Sequence, residues 1–361
     1  MIVLDGGIGE GGGQIVRTAL ALSSITGQPF RITNIREARE DPGLKAQHVQ
    51  CVKALQKLCS AKADGAEIGS KELLYIPGKI AAKNMTIDIG TAGSITLLLQ
   101  AVLLPCMFAN KTHTLTLIGG TDTEWSMPAD YFTNVLAPQY KRIAELEVKL
   151  LKRGYYPKGG GEVKLTIKPQ FKRNEFDTFE AFRATLQQKS FSITQQGHLT
   201  SIKGTSHASK DLENARVAER QADSARQALK QLNVPIEIRI EYSNALSKGS
   251  GITLWAIFSD RKEEIDEPIR LGANALGARG KPAEQVGQEA AQQLITEINS
   301  KAPVDSHLAD NLIPLMALCT PSTIKASKIT SHALTNIQVV EKFLGKIFNI
   351  QERTIKSTWQ V

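Results

Sequence analysis

The order of predicted strands and helices repeats along this chain of 361 residues, and that repeat restricts the fold more than any local motif does. Hydrophobic periodicity predicts the order βαβαββ in the first two units. The predicted elements of the first unit are a strand at 2–4, a helix at 14–25, a strand at 30–35, a helix at 44–59 and two strands ending near residue 76. Those of the second unit are a strand at 85–89, a helix at 94–108, a strand at 114–118, a helix at 130–146 and strands at 148–151 and 163–167. A third, interrupted unit has predicted helices at 307–318 and 332–344 and strands at 323–329, 347–351 and 354–359.

The segment between residues 185 and 302 does not follow the repeat. It is rich in Gln, Ser, Lys and Glu, and its predicted elements are helices at 215–232 and 283–298 and strands at 236–241 and 252–258. We therefore predict an α/β fold of the α+β type, with three βαβαββ repeats around a pseudo-threefold axis. Residues 1–184 and 303–361 would form the repeat-built core, and residues 185–302 a smaller α/β domain inserted in the third repeat.

The composition is that of a globular protein with a sizeable core, since 42% of the residues are hydrophobic and 22% are charged. The longest apolar run, residues 95–109, is too short to cross a bilayer, and the first residues lack the features of a signal peptide. We therefore expect a cytoplasmic protein with no membrane partner. The net charge of +8 and the pI of about 9.2 favour a nucleic-acid partner without proving one.

The cysteines and most histidines have ordinary structural explanations. The four cysteines show no metal-binding spacing and are expected to be reduced core thiols; they are Cys51, Cys59, Cys106 and Cys319. No two histidines lie at ligand spacing, so no zinc site is expected. Four histidines are expected to be structural or on the surface: His48, His113, His198 and His207.

The first helix of each unit opens with a turn suited to an anion. These turns are Gly11-Gly12-Gly13-Gln14, Gly90-Thr91-Ala92-Gly93-Ser94 and Asp305-Ser306-His307. Glycine lets the backbone approach a phosphate closely, and a helix N-terminus presents N–H groups with no partner in the helix. If the units pack around one axis, the three helix starts can converge on one anionic ligand. The alternative is that they are only tight strand–helix turns.

His332 is the strongest candidate for a chemical role. The run Thr330-Ser331-His332-Ala333-Leu334 precedes an amphipathic helix, for which Ser331 is the predicted N-cap. An imidazole at a helix start is well placed to attack or bind a phosphoryl group. The alternative is a structural histidine that satisfies a local hydrogen bond.

Charged residues near the glycine-rich turn can bind phosphates and a metal ion. A carboxylate beside phosphates needs a bridging cation, so Glu10 is the candidate ligand for Mg²⁺ or Mn²⁺, or else it interacts only with the helix dipole. Arg17 and Arg36 can grip phosphate oxygens with both arms of the guanidinium. Arg39 can do the same, or can pair with nearby surface carboxylates.

Two further features remain open at this point. Gln100 is a lone amide in an apolar helix, so it needs polar partners, which a nucleotide or the backbone can supply. A basic run beside Tyr155 and Tyr156 can guide RNA through base stacking, or can be a solvated loop face. The basic residues of that run are Lys149, Lys152, Arg153 and Lys158.

Several separated segments together resemble the RNA 3′-terminal phosphate cyclases. They are residues 4–17, Gly43-Leu44-Lys45-Ala46-Gln47-His48, residues 93–100, His307-Leu308-Ala309-Asp310 and the His332 segment, and they follow the family order over nearly the whole chain outside about 190–300. The resemblance implies that His332 accepts AMP from ATP and that Glu10, Arg17, Arg36 and Gln47 belong to the active site. It also implies ATP contacts at Gln14, Gln100, His307, Leu308, Ala309, Asp310 and Asn311, with the role of His307 left open.

The function that the resemblance implies is ATP-dependent conversion of an RNA 3′-terminal phosphate to a 2′,3′-cyclic phosphate. ATP would be the co-substrate, Mg²⁺ or Mn²⁺ the metal, and RNA with a 3′-phosphate end the partner. Two alternatives share the repeat: a non-catalytic RNA-binding protein of ribosome assembly and an enolpyruvyl transferase. The oligomeric state, the natural RNA and the role of the insert stay open.

Overall fold

A computed structural model describes residues 1–9, 12–259 and 269–359. The strands of the first two sheets are β1 (Ile2–Asp5), β2 (Phe30–Thr33), β3 (Lys62–Asp64), β4 (Leu73–Ile76), β5 (Met85–Asp88), β6 (His113–Gly119), β7 (Ala144–Lys152) and β8 (Gly161–Pro169). The remaining strands are β9 (Ser192–Ile193), β10 (His198–Ser209), β11 (Ile236–Ser243), β12 (Ser250–Ser259), β13 (Ile269–Leu276), β14 (Ser322–Lys325), β15 (Phe348–Gln351) and β16 (Thr354–Ser357). The α-helices are α1 (Gln14–Thr26), α2 (Ala46–Cys59), α3 (Ile95–Met107), α4 (Ala129–Tyr131), α5 (Phe179–Leu186), α6 (Val217–Leu229), α7 (Ala283–Asn299), α8 (Ser306–Leu318) and α9 (Ser331–Leu344).

Three of the four sheets have the same strand order. The orders are β1-β2-β4-β3, β5-β6-β8-β7 and β9-β14-β16-β15. In each sheet the first strand is parallel to its neighbour and the other pairs are antiparallel. This confirms the repeated order of strands, whereas the pseudo-threefold axis stays a prediction. The short strand β9 supplies the first strand of the third unit, which the sequence pattern missed because it has only two residues.

The inserted segment forms a sheet and a core of its own. Its strand order is β11-β10-β12-β13, and α6 and α7 pack on that sheet. Ile202, Leu254, Leu271 and Leu294 are among the buried residues of this second core. Because β9 pairs with β14 of the third sheet, the insert follows the first strand of that unit. The domain limits at residues 185 and 302 stay a prediction, although residues 192–193 pair with the repeat-built part.

The helix predicted at 130–146 is wrong in its length and regularity. The chain instead forms α4, a π-helical turn at Phe132–Leu136 and a 3₁₀ turn at Ala137–Arg142, and β7 begins at Ala144. Pro138 lacks the backbone N–H that a continuous α-helix needs at this position, which explains the change of helix type. The strand predicted at 323–329 also ends earlier, at Lys325.

Helix α1 lies at the centre of the repeat-built part. It packs against α2, α3 and α9, and all of its residues are buried, including Gln14 and Arg17. A buried glutamine and a buried arginine need hydrogen-bond partners. Helix α1 therefore holds two polar side chains inside the core, where other polar groups must lie beside them. None of the helices in the described part of the chain is both long enough and apolar enough to span a membrane.

Candidate active site

His332 is the second residue of α9. The N-cap of this helix is Thr330 and not the predicted Ser331, because Thr330 Oγ1 accepts a hydrogen bond from the Ala333 N–H at 3.0 Å. The same hydroxyl donates to Asp310 Oδ1 at 2.5 Å, which ties the start of α9 to α8. The His332 side chain is exposed, so a ligand at this helix start can reach it.

Gln14 contacts His332 through both atoms of its carboxamide. Gln14 Oε1 lies 2.7 Å from His332 Nδ1, and Gln14 Nε2 donates to the His332 carbonyl at 3.2 Å. The amide NH₂ is engaged by a carbonyl, so the amide oxygen faces the ring and must accept from Nδ1–H. In the neutral imidazole this arrangement leaves the lone pair on Nε2, the form that a nucleophile requires. Gln14, predicted to contact ATP, therefore orients the histidine.

A second chain of hydrogen bonds joins α1, α9 and α8. Thr18 Oγ1 donates to Asn336 Oδ1 at 2.6 Å, and Asn336 Nδ2 donates to the Asp310 carbonyl at 2.9 Å. Burial raises the pKa of Asp310 to about 6, although the hydrogen bond from Thr330 and the neighbouring His332 lower it. Asp310 therefore lies beside the histidine in a partly desolvated position, where its charge depends on pH near neutrality.

Gln100 and Asn311, which were predicted to contact ATP, belong to one chain of hydrogen bonds. Arg17 Nε donates to Gln100 Oε1 at 2.8 Å, and Gln100 Nε2 donates to Asn311 Oδ1 at 2.9 Å. Asn311 Nδ2 then donates to the His307 carbonyl at 2.8 Å. The partners of the Gln100 amide are thus side chains, which excludes the alternative of a backbone partner for it.

Arginine and histidine side chains surround the glycine-rich turn. A Cβ added at Gly13 would lie 2.0 Å from His48 Nε2 and 2.8 Å from Arg17 Nη1, whereas one at Gly12 would lie 3.5 Å from Arg39 Nη2. Only glycine fits at position 13, because the two side chains occupy the space of a methyl group. His48 is fully buried, as its structural expectation allows, yet it borders the site, and its sequence position beside Gln47 was the available signal.

The protonation of His48 follows from its contacts. Burial, together with Arg17 and Arg36, holds the pKa of His48 well below its usual range, so the ring is neutral. Its Nδ1 accepts the Lys45 N–H at 2.9 Å, which places the ring proton on Nε2. That N–H faces Arg17 Nη1 at 3.4 Å, so two hydrogen-bond donors approach each other. An acceptor oxygen beside both of them would satisfy this pair.

The positive charges of Arg17 and Arg36 are incompletely compensated. Burial, with a further contribution from Arg36, lowers the pKa of Arg17 to about 10. Burial and Arg39 lower the pKa of Arg36 in the same way. Arg36 Nη2 donates to the Asp41 carbonyl at 3.2 Å, but its buried Nε has no hydrogen-bond partner in the described part of the chain. A multiply charged anion would offset this repulsion and supply the missing acceptors.

Gln47 connects the first two units at the edge of the same site. Its Oε1 accepts the Ser94 N–H at 3.1 Å, and Ser94 is the N-cap of α3. Gln47 therefore fixes one helix start against another. Gln47 is followed in the chain by His48, which borders Gly13, so the start of α2 lies between the glycine-rich turn and the start of α3. Convergence of the three helix starts on one anion stays a prediction.

Other predicted site residues are placed differently. Leu308 and Ala309 are buried in the core, and their N–H groups donate to Asp305, so they shape the site from behind. His307 is exposed and meets the edge of the Tyr131 ring at 6.2 Å. Glu10 lies outside the described residues, so its role as a metal ligand stays a prediction.

Arg153 is not part of an RNA-binding surface, which corrects its place in the predicted basic run. The residue is 1% exposed and donates to Asp122, Asp130 and Glu241 at 2.8–3.2 Å. His207 Nε2 lies 3.2 Å from Asp122 Oδ1. In the described ranges Asp122, Asp130 and His207 form one group with metal-ligand proximity, which chain spacing alone did not reveal. Arg153 already neutralises its carboxylates, and the group joins the insert to the second unit.

Comparison with known proteins gives one consistent result. The chain matches the family described as RNA 3′-terminal phosphate cyclase over residues 8–350. It is 45% identical to the RNA 3′-terminal phosphate cyclase of Pyrococcus furiosus, over 99% of this chain and 100% of that protein. The proteins of the same name from Archaeoglobus fulgidus and Saccharolobus islandicus are 43% and 44% identical, over 98% and 95% of this chain and 99% and 94% of theirs. The chain therefore belongs to the RNA 3′-terminal phosphate cyclase family and is an enzyme of that kind.

Proposed function

We propose that this protein converts an RNA 3′-terminal phosphate to a 2′,3′-cyclic phosphate at the expense of ATP, through a covalent histidine–AMP intermediate. The observation that carries the proposal is the double contact between Gln14 and His332, because it directs the lone pair of a helix-start imidazole to Nε2. The His332 side chain is also exposed, so a ligand at this helix start can reach it.

In the first step, His332 Nε2 attacks the α-phosphorus of ATP. The P–N bond forms as the bond from the α-phosphorus to the bridging oxygen breaks, and pyrophosphate leaves. Gln14 Oε1 accepts from Nδ1–H throughout, which stabilises the positive ring of the adduct. The path from Gln100 to Asn311 and the neighbouring Asp310 would hold the nucleoside part of ATP.

In the second step, an oxygen of the RNA 3′-phosphate attacks the α-phosphorus of the adduct. The P–N bond breaks, its electron pair returns to Nε2, and an RNA-adenylate forms. The ribose 2′-hydroxyl then attacks the RNA phosphorus, AMP leaves with the bridging oxygen, and the hydroxyl proton passes to solvent. Arg17, Arg36 and His48 supply hydrogen-bond donors for the incoming phosphate, which is the anion that their mutual repulsion favours.

A metal ion stays part of the proposal. Mg²⁺ or Mn²⁺ at Glu10 would offset charge on the phosphates when bound.

Labelled ATP separates this function from its two alternatives. We expect incubation with α-³²P ATP to leave acid-labile label on the denatured protein and to convert RNA 3′-phosphate ends to cyclic ends. A ribosome-assembly protein or an enolpyruvyl transferase would form no adduct. His332→Ala should abolish both signals, whereas His198→Ala, at an exposed histidine of the insert, should retain them. Label of equal amount in His332→Ala would refute the assignment.

A further inference from the structure

Trp125 is an exposed aromatic residue in an uncommon backbone conformation. Its side chain is 95% exposed, and its φ of 63° lies in the left-handed region that bulky residues rarely adopt. Burial of the side chain does not offset the free-energy cost of this backbone conformation, because the ring makes little contact with the protein. Strain of this kind is found at ligand-binding positions, where the surrounding structure holds it in place.

Hydrogen bonds hold the Trp125 turn on both sides. Thr123 and Ser126 share a side-chain hydrogen bond of 3.0 Å, and Ser126 Oγ also donates to the Thr123 carbonyl. Thr96 Oγ1, in the first turn of α3, donates to the Met127 carbonyl at 2.7 Å. The turn is therefore a fixed support that presents the indole to solvent.

The same turn is connected to the candidate active site. Thr96 Oγ1 lies 2.9 Å from Ser94 Oγ, and the Ser94 N–H donates to Gln47. At its other end the segment continues into Tyr131, whose ring meets His307. The segment that carries Trp125 is thus linked to Gln47 through Thr96 and Ser94, and it leads to Tyr131 beside His307.

A neighbouring loop adds a second exposed aromatic residue and positive charge. Tyr156 is 77% exposed, and Lys158 follows it in the chain and is exposed as well. The loop lies close to the turn that precedes α3, as a Cβ added at Gly159 would lie 2.6–3.0 Å from the backbone of Thr91 and Ala92. The Lys158 N–H donates to Ser247 Oγ, which places the insert segment with exposed Lys248 beside the loop.

We propose that Trp125 and Tyr156 stack on unpaired nucleobases of the RNA segment that precedes the 3′-terminal phosphate. This inference rests on the proposed function and adds a binding surface to it. Aromatic faces accept any base, while Lys158 and Lys248 attract the phosphates between bases. Glu124 is exposed beside Trp125 and repels phosphate, so the RNA backbone is expected on the lysine side of the two rings.

The test uses RNA substrates of two lengths. In single-turnover reactions that start from the isolated enzyme–AMP adduct, Trp125→Ala and Tyr156→Ala should each raise the half-saturating concentration of a 3′-phosphorylated single-stranded octanucleotide by roughly 5- to 100-fold. The value for a nucleoside 3′-phosphate should stay the same, because it has no preceding bases. Trp125→Phe should bind the octanucleotide more tightly than Trp125→Ala does, because phenylalanine keeps an aromatic face. Ile68→Ala, at an exposed residue of the first unit, is the control and should change neither value.

Several outcomes would overturn the proposal. Unchanged octanucleotide binding in both variants would show that the rings do not contact RNA. Equal loss for the short and the long substrate would indicate distortion of the site, and slower adenylylation by ATP in Trp125→Ala would indicate stacking on the adenine of ATP. A wild-type protein that forms no adduct would refute the proposed function instead. The surface could still be tested in that case by tryptophan fluorescence. The octanucleotide should quench the emission of Trp125 in the wild type, and this quenching should be absent in Trp125→Ala.

Discussion

The carboxamide of Gln14 binds both the ring and the backbone of His332, although the two residues are 318 positions apart in the chain. The contact at Nδ1 determines which ring nitrogen carries the lone pair, and the contact at the carbonyl keeps the amide from flipping. Gln14 comes from the first repeat and His332, the proposed nucleophile, from the third, so the site requires both units to be packed together.

Removing this orienting contact should slow adenylylation. We expect Gln14→Ala to slow it by about 10- to 100-fold, because a hydrogen bond to a ring that becomes charged contributes roughly 1.5–3 kcal/mol. Gln28→Ala is the matched control, since Gln28 Nε2 donates to the Phe343 carbonyl at the other end of α9. Rapid-quench measurement of adduct formation gives both rates. Equal slowing in the two variants would show that Gln14 only supports helix packing.

Adjacent glycines in the turn should differ sharply in their tolerance of a methyl group. Gly13→Ala should abolish most activity and destabilise the fold by about 1–3 kcal/mol, because the new Cβ would overlap His48 and Arg17. Gly12→Ala should be mild, since its Cβ would meet Arg39 at an ordinary contact distance. Adenylylation rates and urea unfolding would compare the pair, and an active, stable Gly13→Ala would contradict this packing.

Arg36 should matter more for transfer to RNA than for adenylylation. The incoming 3′-phosphate is a dianion that approaches an anionic adenylate, and the buried Nε of Arg36 lacks a partner in the described residues. We expect Arg36→Ala to slow transfer from preformed enzyme–AMP by about 10- to 100-fold and to slow self-adenylylation less. Arg31→Ala, which removes an exposed arginine paired with Glu72, is the control. Equal slowing of both steps by Arg36→Ala would confine Arg36 to ATP binding or structure.

Asp310 should make the enzyme less stable as the pH rises. Its pKa of about 6 in the folded state exceeds the ordinary value of 3.8, so its contribution is fully present below pH 4 and is lost as the pH rises through 6. The loss is at most about 3 kcal/mol. Asp310→Asn should therefore gain stability relative to wild type between pH 4 and pH 8. Chemical denaturation at both pH values checks this, and a difference that does not change with pH would exclude a raised pKa.

The buried arginine between the insert and the second unit should be essential for stability. Arg153→Met should destabilise the protein by about 3–5 kcal/mol, because it leaves Asp122, Asp130 and Glu241 without their shared cation. Lys149→Met, on the strand that leads to Arg153, removes an exposed cation and should change stability by less than about 1 kcal/mol. Denaturant unfolding monitored by tryptophan fluorescence compares them, and similar effects would show that the network contributes little.

Local patterns in the sequence determined the repeated order of elements and the position of His332 at a helix start. Both depend on side chains a few residues apart, such as the periodic apolar positions of α9, although the cap of that helix is Thr330 and not the predicted Ser331. Neighbouring residues in the chain also showed that Gln100 is a lone amide within an apolar helix, which predicted that it needs polar partners. Even so, the sequence pattern missed β9 and the irregular helix at 129–142, where Pro138 changes the hydrogen bonding.

Only the tertiary structure decided which side chains meet. It placed Gln14 on His332, put the His48 N–H opposite Arg17, and buried Arg153 among carboxylates from the second unit and the inserted segment. These relationships join residues far apart in the chain, and a basic residue in a loop-like segment looks the same in sequence whether it faces solvent or a buried carboxylate. Desolvation by the surrounding core, and not residue type, determines whether such a group binds a ligand, orients a nucleophile or stabilises the fold.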